Sequence, residues 1–522
     1  TQWVEAHEKS LLPETFVEVA CIFNDVDAVN EGAVVGTHES FVSNSGGIMG
    51  EFTQGMYPEY KYATLERNLW TLDGSRRVAW FDDSNDGFAT GYVGDDLTDA
   101  TVTISFGASR TFDIPGITIR WSGEYNEYAT QFDVTVYSGE SEIAKVEVRD
   151  NRSVETLVEL PLNGYDRIEI HVLAWCLPDR RARIDRVLLG HRVVFDKNDI
   201  ISYTHEMSGD PTSAMVSSNK ITFTMNNLDG RWNPANPSGL TKYLSERQKV
   251  TVRYGMRVNG VTEWINAGLF YLSSWETEDT GLEARFEARD LFEFLNNVSY
   301  PSATGETDGL LLDALYMGEV TPASVSYDVA HAMKYSGNAE ISDEYTAAAV
   351  AQMCANAMGS ALYQKTDGGI AMKPFENTGP AYLIPLRLAS SYPKLALSKP
   401  LKSIHVGGTG VEYTLEVSSS GEVQTVTNPV ITTETQASFV AEKVKELLET
   451  RKSVSGAFRA DPRLELFDIV ALETKYGSFT SVILTNIKYE YRGSFWCTYT
   501  GRVLTEKAFM LDYSSLDTGK IE

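Results

Sequence analysis

Short segments in which every second residue is apolar recur along most of the chain, separated by turn-forming stretches such as SGES and NGYD. A period of two places apolar side chains on one face of a strand, so each segment predicts a strand with one buried face. The clearest segments are Val102, Ile104 and Phe106; Phe132, Val134 and Val136; Ile168, Ile170 and Val172; Ile221, Phe223 and Met225; Val250, Val252 and Tyr254; and Leu282, Ala284, Phe286 and Ala288. The sequence therefore predicts a mainly β protein built from antiparallel sheets.

The apolar period becomes helical in two places. Between residues 307 and 369, apolar residues return every three to four positions and glycines follow the apolar stripes, which predicts a small α/β insert between two β regions. In the last β region, Thr433 and Gln436 form a capping box ahead of an apolar stripe, which predicts a helix over 433–450. The expected class is thus mainly β with an α+β insert.

The β regions on either side of the insert show weak similarity to each other. A shift of 212 residues places Leu272 on Leu484, Trp275 on Ile487 and Gly281 on Gly493, and the order of strands and turns also agrees. These matches favour a duplicated β-barrel. Loose matches in β-rich sequence also arise by chance, so two unrelated β regions remain an alternative.

Net charge limits the classes of partner. The 522 residues include 45 Lys plus Arg and 72 Asp plus Glu, a net charge of −27, which repels nucleic acid and anionic membrane surfaces. We therefore expect no nucleic-acid partner. No apolar run is long enough to cross a bilayer and the amino terminus lacks signal-peptide features, so we expect no membrane insertion. The four cysteines are widely spaced, which predicts buried free thiols.

No motif for catalysis or phosphate binding is found, so we do not expect an enzyme, and a glycoside hydrolase or peptidase ranks below the other hypotheses. Asp82, Ser84 and Asp86 alternate ahead of Gly87, as in the first half of a calcium-binding loop, but Val93 stands where the final glutamate would be. The segment is either an acidic solvated loop or a calcium site, and no other cofactor is expected.

Aromatic residues lie beside predicted loops in the first β region. Trp80, Trp121 and Tyr125 could form a stacking face for a sugar ring, with a host-wall glycan as ligand. Core packing explains aromatic residues at such positions equally well. The sequence alone leaves both interpretations open.

Longer strings resemble known families. RIEIHVLAWCLPDRRARIDRVLLG and YATLERNLWTLDGS resemble the closing and opening strands of a discoidin-like (galactose-binding) jelly roll. FDKNDIISYTHEMSGDPTSAMVSSNKITFTMNNLDGRWNP and TNPVITTETQASFVAEKVKELLETRKSVSGAFRADPRLELFDIVAL resemble tail-tip or baseplate hub proteins of tailed phages. Together the strings cover roughly residues 55–505.

The resemblance implies a structural protein of the virion tail tip or baseplate. Hub proteins of this kind are similar in carrying two related β-barrels per chain, so that a homotrimer presents six barrels to a six-fold tail tube. The implied partners are further copies of the chain, a tail-tube or distal tail protein, and fibre, receptor-binding or tip proteins. A carbohydrate-binding adsorption module acting through the discoidin-like domain is the alternative.

Two elements are candidates for contacts between subunits. They are a loop from Asn226 to Gly239 and the helix over 433–450, although each could equally pack within its own domain. The candidate interface residues are Asp229, Arg231, Trp232, Gln436 and Lys443.

The resemblance also implies a domain order. The expected domains are an extension of strand and loops over 1–54, a jelly roll over 55–192, a first hub β-barrel over 193–300, a small α/β domain over 301–400, a second hub β-barrel over 401–508 and a tail over 509–522.

Overall fold

The computed structural model describes residues 14–36, 41–42, 48–49, 66, 88–90, 97, 100–123, 125–212, 215–277, 281–317, 325–326, 339–374 and 382–504. Their contacts divide them into two compact units. The sandwich unit consists of Cys21–Val193 and Arg231–Gln248. The large unit consists of the described residues within 1–20, 194–230 and 249–522. Strands dominate both units, which confirms the predicted mainly β class.

The described residues up to 195, most of which belong to the sandwich unit, form strands and a four-residue helical turn. In chain order the elements are β1 (Thr15–Asn24), α1 (Ala28–Glu31), β2 (Gly32–Gly36), β3 (Phe41–Val42), β4 (Phe88–Ala89), β5 (Thr101–Arg110), β6 (Ile114–Arg120), β7 (Ala129–Ser138), β8 (Ser141–Val148), β9 (Glu155–Leu162), β10 (Tyr165–Trp175), β11 (Arg183–Ile184), β12 (Arg186–Leu188) and β13 (Gly190–Phe195). A 3₁₀ turn at Thr241–Tyr243 lies in its second segment.

Two sheets enclose the core of the sandwich unit. One has the strand order β2-β5-β10-β7-β8 and the other the order β12-β6-β9, while β11, β4 and β3 form a small third sheet. Ile104, Val134 and Ile170 from the first sheet share one apolar core with Ile119 and Val158 from the second. The predicted alternation on β5, β7 and β10 is confirmed, because the apolar residues of all three strands are buried.

The elements of the large unit that follow β13 include the predicted helices. They are β14 (Ile200–Ser208), β15 (Ser218–Asn226), β16 (Lys249–Val258), β17 (Val261–Thr277), β18 (Glu283–Arg289), α2 (Leu291–Leu295), β19 (Ala303–Gly305), α3 (Thr307–Tyr316), β20 (Val325–Ser326), β21 (Ala339–Ile341), α4 (Ala347–Ala357), β22 (Ser360–Gln364), β23 (Ile370–Pro374), β24 (Tyr382–Ile384), a 3₁₀ turn (Leu386–Leu388), β25 (Lys394–Leu397), β26 (Leu401–Gly408), β27 (Val411–Glu416), β28 (Glu422–Thr427), α5 (Glu434–Leu448), β29 (Lys452–Arg459), β30 (Ile469–Glu473), β31 (Phe479–Tyr491) and β32 (Phe495–Val503). No helix among the described residues is long and apolar enough to cross a membrane.

Nine consecutive strands of the main sheet of the large unit run in the order β16-β17-β18-β15-β14-β31-β32-β29-β25, and β1 lies next to β16. Strand β30 pairs with β31 on one side and with β24 on the other. The strands before the insert and those after it therefore belong to one continuous sheet, and β14 and β31 are the neighbours where the two groups meet.

The helices between the two groups of strands form a second core. Leu311 of α3, Val350 of α4 and Val440 of α5 lie in one buried cluster with Ile404 and Val406 of β26. The prediction placed 401–450 with the last β-barrel. The structure instead packs α5 and the small sheet β27-β26-β28 with the insert helices, because the apolar stripe of α5 faces α4 and that sheet.

Candidate assembly interface

The main sheet contains the same arrangement of strands twice. We call β14–β18 repeat 1 and the set β25 and β29–β32 repeat 2. The order β16-β17-β18-β15-β14 in repeat 1 corresponds strand for strand to β30-β31-β32-β29-β25 in repeat 2. In each repeat a β-hairpin (β16-β17 or β30-β31) is followed in the sheet by the next strand of the chain (β18 or β32). The strand that precedes the hairpin in the chain (β15 or β29) comes next, and a still earlier strand (β14 or β25) lies at the end. This correspondence supports the duplication that the 212-residue shift predicts.

The hydrogen-bond register of the two repeats also agrees. Along β17 and β18, the pairing is interrupted between Leu272 and Ser274, where one extra residue is inserted. Along β31 and β32, the same interruption lies between Leu484 and Asn486, which is 212 residues later. A bulge redirects all side chains beyond it, so a shared bulge means that both repeats place equivalent residues on the same face.

Within the chain, repeat 1 meets repeat 2 where β14 pairs with β31. The two strands are antiparallel, with His205 opposite Tyr489 and Met207 opposite Ile487. Both Met207 and Ile487 are buried. On the opposite face, Nζ of Lys488 lies 3.1 Å from Oε1 of Glu206. We call this pairing the β14–β31 junction; apolar contact on one face and an ion pair on the other stabilise it.

A polar and aromatic cluster lies in the core of the junction. Nδ1 of His205 is 2.9 Å from the Tyr254 hydroxyl and Nε2 is 2.7 Å from Oδ1 of Asn219. The Tyr254 hydroxyl is 3.0 Å from that of Tyr203, and the ring of Tyr489 packs 5.7 Å from the His205 ring. Burial lowers the pKa of His205 to about 4, although the Asn219 contact opposes the shift. The neutral imidazole can satisfy both ring nitrogens without a buried charge.

The insert strand β22 contacts both repeats. The side-chain amide of Gln364 donates to the backbone oxygen of Leu269 at 2.7 Å and accepts from the backbone N–H of Leu291 at 2.8 Å. Its neighbour Tyr363 donates to Oε2 of Glu465, which precedes β30, at 2.9 Å. These contacts join β22 to β17, to the start of α2 and to the segment before β30, so the insert contacts parts of both repeats.

Several strand edges of the main sheet lack a neighbour among the described strands, and two of them belong to β25 and β17. Strand β25 pairs with β29 on one side only, and all four of its residues are exposed. Strand β17 pairs with β16 as far as Tyr271, and beyond that point its pairing continues only with β18. Ser274, Trp275 and Glu276 are exposed along this second edge. Open edges present unpaired backbone groups, which makes them candidate surfaces for another strand.

Two of the five predicted interface residues are buried within the chain. Trp232 is buried, with its ring 6.2 Å from that of Phe23. Gln436 is also buried, and its side-chain oxygen accepts from the backbone N–H of Thr432. Burial within the chain corrects the prediction for these two residues. Asp229 is exposed, whereas Arg231 and Lys443 are half-buried. The edge residues of β25 and β17 are not predicted from the sequence, although Leu395 and Leu397 form a short alternating pattern that is typical of a strand.

The predicted ligand sites fall in the sandwich unit. Trp121 is fully buried and packs against Phe132, with ring centroids 4.9 Å apart, so it is a core residue and offers no face to a sugar. Tyr125 is half-buried, and the guanidinium of Arg183 lies 5.1 Å from its ring centroid. Trp80 and the possible calcium ligands Asp82, Ser84 and Asp86 lie outside the described residues. Among the residues described, no group of three or more His, Cys, Asp or Glu side chains could hold a metal ion.

An open polar cleft of about 650 Å³ lies on the sandwich unit. Nε of Arg120 in this cleft is 3.8 Å from Oδ2 of Asp185. Burial raises the pKa of Asp185 to about 7, although the hydrogen bond that its Oδ2 accepts from the backbone N–H of Gly123 opposes the shift. The cleft therefore combines cationic, amide and aromatic groups. Its lining residues are Arg120, Asn126, Tyr128, Arg152, Ser153, Val154 and Glu155.

Comparison with known proteins gives similarity only at the level of solved structures. No protein-family model matches the sequence, and no curated protein matches it. The tail protein from Neisseria meningitidis MC58 is 11% identical with a TM-score of 0.41, covering 59% of this chain and 93% of that one. The 43 kDa tail protein of prophage MuSo2 from Shewanella oneidensis is 13% identical with a TM-score of 0.42, covering 59% and 94%. Prophage tail protein gp18 from Listeria monocytogenes EGD-e is 11% identical with a TM-score of 0.40, covering 63% and 95%. Identities and TM-scores this low do not assign a function to this chain.

Proposed function

We propose that this chain is a structural protein of a phage tail, the hub of a tail tip or baseplate. In this role three copies join the six-fold tail tube to a three-fold tip and to the adsorption apparatus. Its location is the virion tail tip. The role requires stable binding between subunits and no bond chemistry.

The observation that carries the proposal is the duplication within one continuous sheet. Repeat 1 and repeat 2 share their strand order and a bulge at equivalent positions. A chain with two equivalent repeats presents six of them when three copies assemble around a three-fold axis. Such an assembly matches a six-fold ring on one side while keeping three-fold symmetry on the other, which is the geometric requirement of a hub.

The sequence resemblance supplies the partners. The strings that resemble hub proteins cover β14, β15 and the region from α5 to β30, so they coincide with parts of both repeats. The partners are therefore two further copies of the chain, a tail-tube or distal tail protein, and fibre, receptor-binding or tip proteins.

The copy number of the chain in purified particles tests the proposal. Quantitative mass spectrometry against a tail-tube subunit should give three copies of this chain for each six-fold ring at the tip. A protein of the capsid or a non-structural protein would give a different ratio or no signal. Absence of the chain from purified particles would overturn the hub role.

A second candidate function is adsorption through a discoidin-like sandwich domain over 55–192 that binds a carbohydrate of the host wall. The cleft beside β6 favours it, because Tyr128 offers an aromatic surface while Arg120, Asn126 and Glu155 offer polar groups. Carbohydrate sites commonly combine a stacking ring with such polar groups.

Glycan-array binding by the intact chain tests this second function. We expect Arg152→Ala to reduce binding about tenfold without loss of fold, because the Arg152 side chain is largely exposed. Tyr128→Ala should have a larger effect. Lys145→Ala is the matched control, since Lys145 is an ion-paired surface residue of β8 that does not line the cleft. Silence across host-wall glycans would exclude the function.

A further inference from the structure

The β14–β31 junction occurs once among the described strands, yet each of its strands has a counterpart in the other repeat. Strand β25 occupies in repeat 2 the place that β14 occupies in repeat 1. Strand β14 pairs with the outer side of β15, and β25 pairs with the outer side of β29, which is the equivalent strand. Strand β17 corresponds in the same way to β31. The chain therefore carries both halves of a second junction, and among the described strands neither half is paired with the other.

The register defines which residues correspond. His205 pairs with Ile221, and Leu395 pairs with the equivalent residue Val454, so Leu395 corresponds to His205 and Leu397 to Met207. On the other side, Trp275 corresponds to Ile487, because each lies one residue beyond the shared bulge interruption. By the same register, Glu276 corresponds to Lys488.

Burial separates the two sets of residues. His205 and Met207 are 2% and 5% exposed, whereas Leu395 and Leu397 are 62% and 65% exposed. Trp275 is 37% exposed, whereas Ile487 is fully buried. Large apolar side chains are thus solvent-exposed at the positions that correspond to the buried core residues of the β14–β31 junction. Exposed apolar groups next to an open strand edge mark a protein interface.

We propose that β25 of one copy of the chain pairs with the open edge of β17 in a second copy, in the antiparallel register of the β14–β31 junction. Leu397 then lies opposite Trp275, as Met207 lies opposite Ile487, and Ala396 lies opposite Glu276. This inference rests on the proposed hub function, which requires the chain to assemble with itself, and it identifies the edges that do so.

The charges along the two edges are compatible with this register. In the β14–β31 junction, Glu206 and Lys488 form an ion pair directly across the strands. In the proposed junction Ala396 replaces the acidic residue, and Glu276 faces Lys394 diagonally, two residues along β25 and on the same face. Diagonal neighbours on antiparallel strands are within reach of long side chains.

A second copy is the occupant because the two edges are complementary and lie on the same chain. The two edges differ in sequence and position, so pairing between copies is head-to-tail. Each copy then binds one neighbour through β25 and another through β17. Head-to-tail contacts of this kind continue until a ring closes.

Cysteine cross-linking tests the register. The wild-type thiols Cys21, Cys354 and Cys497 are buried, whereas Cys176 is half-buried. All the chains tested therefore also carry Cys176→Ser, which keeps background reaction low. Chains carrying Leu397→Cys, mixed with chains carrying Trp275→Cys under mild oxidation, should form a disulfide-linked dimer between one chain of each kind. Ala396→Cys mixed with Trp275→Cys is the matched control, because one residue out of register places the thiols on opposite faces. Equal cross-linking of the two mixtures would contradict the register.

Loss of self-association tests the interface by a second route. The double variant Leu395→Lys, Leu397→Lys should weaken self-association about tenfold or more in sedimentation velocity, with an unchanged circular dichroism spectrum because both side chains are exposed. Tyr476→Lys is the control, since Tyr476 is 82% exposed and lies outside β25 and β17. A wild-type chain that stays monomeric at about 100 μM, above the dissociation constants of ordinary specific interfaces, overturns the proposal.

The outcomes separate this inference from the hub function. If the chain is present in particles at the hub ratio but the designed cysteines do not cross-link, the strand pairing is wrong and the hub role stands. If the cysteines cross-link but the chain is absent from particles, the pairing stands and the hub role is wrong. Cross-linking of Leu397→Cys to a different tail protein in place of a second copy also overturns the pairing.

Discussion

At the residue scale, burial of His205 makes the stability of the β14–β31 junction depend on pH. The side chain is 2% exposed, contacts Tyr254 and Asn219 through its two ring nitrogens, and has a pKa lowered to about 4 by burial. An unfolded chain binds the proton at a pKa of about 6.5, so between the two values the unfolded state holds more protons than the folded state. Stability is therefore fully present above about pH 6.5 and declines as the pH falls towards 4.

We expect this single histidine to remove on the order of 3 kcal/mol of unfolding free energy between about pH 6.5 and pH 4, since one pKa unit corresponds to about 1.4 kcal/mol. Urea unfolding of the wild type and of His205→Gln at several pH values measures it. The variant should be less stable at neutral pH, yet lose less stability on acidification. His405→Gln is the control, because His405 lies on β26 and its Nδ1 is 3.0 Å from the Thr414 hydroxyl near the surface. Equal acid sensitivity in His205→Gln and the wild type would exclude this role.

At the scale of elements, the sequence pattern predicts which segments form strands and helices. Ala284, Phe286 and Ala288 are buried on β18 as the alternation requires, and only Leu282, which precedes the strand, is exposed. The predicted capping box is also confirmed, because the side chain of Thr433 accepts from the backbone N–H of Gln436 at the start of α5. These features are local, and local patterns record them directly.

The partner of each element is much less accessible from the sequence. The stripe on α5 shows that one face is buried, but it does not say against what, and the structure places it on α4 and β26. Trp121 was predicted as either a sugar-stacking or a core residue, and only its burial identifies it as core. The 212-residue shift does predict the equivalence of Leu272 and Leu484. It cannot predict that β14 fills the edge of β31 while β25 and β17 stay open, because neighbouring strands in a sheet are distant in sequence.

At the scale of the whole molecule, charge opposes the association that the exposed edges favour. Each chain carries a net charge of −27, so copies repel one another over distances longer than any contact. The proposed contact itself is mainly apolar, with Leu397 opposite Trp275 and Lys394 near Glu276. Salt screens the long-range repulsion and leaves apolar contact intact, since the Debye length falls from about 30 Å at 0.01 M to about 8 Å at 0.15 M ionic strength.

Self-association should therefore strengthen as ionic strength rises over this range. Sedimentation equilibrium in potassium chloride measures the association constant, and we expect an increase of about tenfold, equivalent to about 1.4 kcal/mol. Magnesium chloride at equal ionic strength is the matched comparison, because general screening acts alike in both salts whereas a bound divalent cation strengthens association only in magnesium. A steady weakening with added salt would mean that complementary charge pairs dominate the contact. In that case the pairing of Lys394 with Glu276, and not the leucines of β25, would supply most of the binding free energy.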